Sequence, residues 1–75
     1  MARAYLKIWT ASGQEGKVRD GLLGLQEVKS VDLTAGEQDI IAIVEADTYE
    51  DLLQIVVGQI RVMKGIERTV TNLAL

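Results

Sequence analysis

The sequence predicts an α+β domain of the ferredoxin-like βαββαβ type: a four-stranded antiparallel sheet with two helices on one face. Three observations carry the prediction. Ala2 to Trp9 alternates, with Ala4, Leu6 and Ile8 on one side and Tyr5, Lys7 and Trp9 on the other, which is the period of a half-buried strand. Two later stretches repeat their apolar residues at helical spacing, around Val18 and around Val56. Further strand-like runs fall so that the order reads strand, helix, strand, strand, helix, strand, the split-βαβ pattern. With no proline and no low-complexity linker, residues 1–75 read as one domain.

Each element has its own signal. After the first strand, Ser12-Gly13-Gln14-Glu15 has the form of a capping box, with Ser12 as N-cap and Glu15 reaching back. The first helix then carries Val18, Leu22 and Leu25 at i, i+4 and i+7, weakened by Gly16, Gly21 and Gly24. Val28 to Thr34 reads as the second strand, with Val31 and Leu33 inward, and Ala35 to Gln38 as a turn. Asp39 to Ala46 is the third strand. Its run Ile40-Ile41-Ala42-Ile43-Val44 is apolar on both faces, as in a central strand covered twice. Asp47 or Thr48 caps the second helix, and Glu50 and Asp51 suit the positive end of its dipole. Tyr49, Leu52, Leu53, Val56, Ile60 and Met63 form one broad stripe on that helix, Lys64-Gly65 stops it, and the last strand starts at Ile66.

Composition narrows the function. A domain of 75 residues buries only about 60% of its unfolded surface, so its core alone is marginal. It contains no Cys and no His, which removes disulfides and thiolate or imidazole metal sites as staples. Self-association remains. The apolar third strand leaves an open sheet face for it, through Ile40/Ala42/Val44 or through Ile41/Ile43, and two such sheets face to face make a dimeric α/β barrel. Ile55 and Val62, seven residues apart and outside the core stripe, are either ordinary exposed apolar residues or a second line for joining dimers, with Gly58 allowing close approach. The net charge of −3 lacks the basic footprint of a nucleic-acid binder. No apolar run reaches the roughly 18 residues of a membrane span, and the N-terminus reads as a strand rather than a signal peptide. The expected location is therefore cytoplasmic.

The turn between the second and third strands admits two readings, a ligand site and a plain hairpin. Gly36 permits a positive φ and lets a ligand approach the backbone. Free amides there suit a carboxylate, and Asp39 suits an ammonium. A plain hairpin uses the same residues, with Gly36 for the turn and Asp39 bonding its own backbone. Other motifs resolve to ordinary structure. Gly13-Gln14-Glu15-Gly16 has the GxxG spacing of a nucleic-acid clamp, but with Glu15 where Lys or Arg is wanted. Gly16-Lys17 lacks P-loop spacing. Glu37, Asp39, Glu45 and Asp47 straddle a strand as solvated carboxylates rather than a metal site. Trp9 suits an interface better than a pocket. No His or Cys base supports a nucleophile, so neither an enzyme nor a cofactor is expected.

The segment Thr34-Ala35-Gly36-Glu37-Gln38-Asp39-Ile40-Ile41 resembles the Gly-x-x-Asp turn of Lrp/AsnC-type regulators, which joins strands two and three of their effector-binding (RAM) domain. The ending Gly65 to Leu75 resembles that family's last strand, so the resemblance spans essentially the whole chain. Two departures stand out: the usual helix-turn-helix domain is not among these residues, and Ala35 stands where Thr is common. The resemblance implies a homodimer built across the sheet, higher oligomers built from dimers, and a small effector, typically an amino acid, bound near the turn. It nominates Thr34, Gly36, Glu37, Gln38 and Asp39 as site residues. Regulation would then act through a partner, full-length relatives among them, without direct DNA binding. Two alternatives share the topology: a dimeric α/β-barrel oxygenase, for which the axial His that haem would want is absent, and a structural oligomer with an empty site.

Overall fold

A computed structural model of the protein describes all of Met1–Leu75. Strand β1 spans Ala2–Thr10, helix α1 Glu15–Leu23, β2 Val28–Leu33, β3 Ile40–Ala46, α2 Tyr49–Ile55 and β4 Ile66–Leu73. Helix α2 runs on into a π-helical turn, Val56–Ile60, in which Arg61 N donates to Val56 O at 2.8 Å. The four strands make one antiparallel sheet in the order β2-β3-β1-β4. No helix is long and apolar enough to cross a membrane. The predicted ferredoxin-like architecture is the observed one.

The core lies on one face of that sheet. Alternate residues of β1, from Ala2 through Ala4, Leu6 and Ile8 to Thr10, are buried. Register pairs Leu6 with Ala42 and Ile8 with Ile40, so Ile40, Ala42 and Val44 of β3 join the same layer. Val18 and Leu22 of α1 and Leu52, Val56 and Ile60 of the second helical segment close over it. The opposite face keeps Tyr5, Lys7 and Trp9 of β1 beside Ile41 and Ile43 of β3, the two isoleucines half-buried. Of the two sets offered by the doubly apolar third strand, Ile41 and Ile43 are therefore the ones on the open face.

Several local expectations are corrected. Helix α1 begins after Gln14, with no side-chain cap. Gln14 N instead closes a turn onto Ala11 O at 3.0 Å, which spends the Ser12-Gly13 pair on reversing the chain and leaves no capping box. Strand β3 starts at Ile40 rather than Asp39, and β2 ends at Leu33. Leu33 pairs with Ile40 and so shares the core-side face, but it lies past the helices and is 48% exposed. On α2, Thr48 is the cap, its hydroxyl accepting from Asp51 N at 3.1 Å. Leu52, Val56 and Ile60 are buried as expected, whereas Tyr49 and Leu53 are exposed. Ile55 packs against the core, while Val62 is 71% exposed beyond the π turn. That wider turn breaks the straight helical line on which the two were to stack, so the expected second stripe does not form.

The link into β4 depends on Gly65. Its φ is +99°, and an added Cβ would lie 3.1 Å from Val18 Cγ2 and 3.2 Å from Gln14 Cβ. Gly65→Ala is expected to cost about 1–2 kcal/mol from the backbone conformation alone, with crowding adding to it. Gly58, inside the π turn, has nothing near its Cβ position, so Gly58→Ala is expected to be neutral or to stabilise by up to about 1 kcal/mol. Urea unfolding midpoints of the two variants check both signs.

Candidate ligand-binding site

The turn between β2 and β3 is closed at its base by Thr34. Its N–H donates to Asp39 O and its hydroxyl to Gln38 O, each at 2.8 Å. Beyond that base, the N–H groups of Ala35, Gly36, Glu37 and Gln38 donate to no backbone carbonyl and to no side chain. Gly36 sits at the tip with φ +153° and open space around it. The tip thus presents unpaired donors of the kind that bind anions, with no side chain at Gly36 to obstruct them.

Asp39 anchors the turn to the end of β1. Its N–H donates to Ile8 O at 3.0 Å, and its Oδ2 accepts from Thr10 N at 2.8 Å and from Thr10 Oγ1 at 3.4 Å. One carboxylate oxygen is therefore committed to the fold, and no protein donor reaches Oδ1. Trp9 adds a third tie, its indole N–H donating to Glu37 O at 2.8 Å. The Glu37 side chain itself is exposed.

The five nominated residues thus lie together on one turn but do different things. Thr34 and Asp39 shape it, Gly36 clears its tip, Glu37 offers its carbonyl to Trp9, and Gln38 offers its carbonyl to Thr34. Sequence reasoning missed Thr10, which is buried and holds the Asp39 carboxylate. Its signal was a polar residue continuing the buried alternation of β1.

The turn is an open surface feature of the single chain rather than part of a groove. The largest groove, about 640 Å³, lies at the other end of the strands among Gln26, Glu45, Asp47, Asp51, Gln54 and Gly58. None of the grooves is lined by residues 34–39. Glu37 and Asp39 sit at one end of β3 and Glu45 and Asp47 at the other, so no three carboxylates converge. Glu45 pairs with Arg3 at 2.7 Å across the open sheet face. The Arg3 guanidinium is held above its ordinary value by the Tyr5 side chain first and by Glu45 second.

Comparison with known proteins gives these features a context. A family model described as the Lrp/AsnC ligand binding domain matches residues 3–75. The crystal structure of FFRP-DM1 superposes with a TM-score of 0.97 at 40% identity, covering 100% of both chains. A hypothetical protein from Pyrococcus horikoshii gives 0.95 at 40% identity, over 100% of this chain and 90% of that one. A transcriptional regulator from Neisseria meningitidis, solved as its L-Met complex, gives 0.84 at 14% identity. This chain is covered to 99% there but spans only 49% of that regulator, and the likeness at that identity concerns the fold alone. Curated proteins yield no match. The family model over nearly every residue and the two 40% relatives agree with the fold: the chain belongs to the Lrp/AsnC ligand-binding domain family.

Proposed function

We propose that the protein is an oligomeric effector-binding module with a regulatory role, taking a small amino acid at the 34–39 turn. The observation that carries this reading is the tip of the turn. Four amides without protein acceptors stand beside Asp39, whose Oδ1 has no protein donor. The amides suit an α-carboxylate, and the free carboxylate oxygen suits an α-ammonium. Membership of a ligand-binding family supports the reading, as does the L-Met complex of the Neisseria regulator that shares the fold. The turn is open in the single chain, so a neighbouring subunit supplies the remaining wall. The output passes to a protein partner, full-length relatives among the candidates, with no direct hold on DNA.

The binding test is a thermal-shift screen of the twenty L-amino acids, each added alone at millimolar concentration. A ligand bound only by the folded state raises the melting temperature. A flat response to all twenty would sink the amino-acid reading. Asp39→Ala is a poor probe, because it strands the buried Thr10 N–H at a cost of about 1–3 kcal/mol. Asp39→Asn keeps an oxygen for Thr10 and removes the charge. It is expected to fold, to melt closer to the parent than the alanine variant, and to lose most of the shift. An undiminished shift would confine Asp39 to its turn role.

The oligomer is a dimer with its two open sheet faces in contact. The half-buried Ile41 and Ile43, with Tyr5, Trp9 and Val70, give that face an apolar centre. Only 14 of 75 residues are buried in the single chain, few enough for association to contribute much of the stability. Sedimentation at micromolar concentration should give twice the chain mass or more. Ile43→Lys should lower both mass and melting temperature, and a folded parent monomer would refute the arrangement.

A further inference from the structure

Three consecutive residues of β1 grip the turn. Ile8 O accepts from Asp39 N at 3.0 Å, Thr10 N donates to Asp39 Oδ2 at 2.8 Å, and Trp9 Nε1 donates to Glu37 O at 2.8 Å. The first continues the strand pairing at the base of the turn, and the second ties the end of β1 to the Asp39 carboxylate. In the third, a β1 side chain reaches from the open sheet face to a peptide nearer the tip. That peptide joins Glu37 to Gln38 and is trans. In a planar trans peptide the C=O and N–H point in opposite directions. Holding Glu37 O on the indole therefore aims Gln38 N–H away from Trp9. The indole is itself held: Arg68, its register partner on β4, places Cζ 4.6 Å from the ring centroid, within cation–π range.

The geometry points to Trp9, braced by Arg68, as the positioning residue of the effector site. It presets the Glu37–Gln38 peptide so that the free amides of the tip converge on a carboxylate. The inference rests on reading the turn as an effector site, and it concerns a residue that need not touch the effector. Preorganisation of this kind raises affinity by removing the ordering cost at the moment of binding. Without the indole donor the peptide is free to rotate, and the ligand must order it.

Two measurements test this, and they separate its failure from failure of the effector reading. The first uses ligand-free protein. Amide order parameters from ¹⁵N relaxation should be near 0.8 at Gly36, Glu37 and Gln38 in the parent, close to the value of about 0.85 for rigid backbone. Trp9→Phe keeps a ring for Arg68 but deletes the donor. It should lower them below about 0.6, while Leu6 and Ala42 in the strands stay unchanged. Equal values in the two proteins overturn the proposal. The second also has a readout in the parent itself, because Trp9 is the only tryptophan. Any of the twenty L-amino acids that raises the parent melting temperature should change indole emission with the same titration midpoint. It should also bind Trp9→Phe about fivefold more weakly, the factor expected for one hydrogen bond. An amino acid that binds both proteins equally and leaves the emission still overturns the role of Trp9. If none of the twenty binds, the effector reading falls, and the order parameters still decide whether Trp9 sets the turn.

Discussion

Strand β1 is the interaction partner on which the remaining structure depends. It pairs with β3 along one edge and with β4 along the other, so the first residues of the chain join the middle to the end. Its alternate side chains fill the floor of the core, and its last three residues hold the β2–β3 turn. A domain this small buries too little surface to compensate a misplaced strand. The position of β1 thus sets both the packing of the helices above the sheet and the shape of the turn at its end.

The two faces of that strand divide its duties. Toward the helices it offers Ala2, Ala4, Leu6 and Ile8, residues without polar side chains and almost fully covered. Toward the open side it offers Arg3, Tyr5, Lys7 and Trp9, each pairing an apolar body with a polar end. Such side chains cover their neighbours while keeping a charge or donor at the rim. Ile41 and Ile43 lie next to them on β3. A face of this mixed kind sets polar ends around an apolar centre.

Much of this was legible in the sequence, for physical reasons that differ by element. Strand β1 was readable because burial on one face enforces alternation at every second residue. The helices were readable through Val18 with Leu22 and through Leu52, Val56 and Ile60, and the turn through Gly36 and Asp39. The misses are cases where distant residues decide. The Ser12–Glu15 spacing satisfies a capping box on paper, but closure of Gln14 onto Ala11 moves the helix start. Leu33 has the right parity for the core and lies where no helix reaches it. Thr10 and Asp39 are 29 residues apart, and no local pattern announces that one supports the other. The turn proposed as the site was legible as a turn, while the commitment of one Asp39 oxygen to the fold was not.

The π turn at Val56–Ile60 has a geometric consequence for the whole second helical segment. Its buried residues Leu52, Val56 and Ile60 come at steps of four. In a regular α-helix each such step overshoots a full revolution by about 40°, and a face defined that way would wind off the sheet. A wider turn takes up more chain per revolution and rotates the later residues back. Ile60 thereby remains over the sheet in line with Leu52, and Val57 and Gly58 face outward, both exposed. One wide turn thus keeps a single buried face along the whole segment between the Thr48 cap and the Gly65 stop.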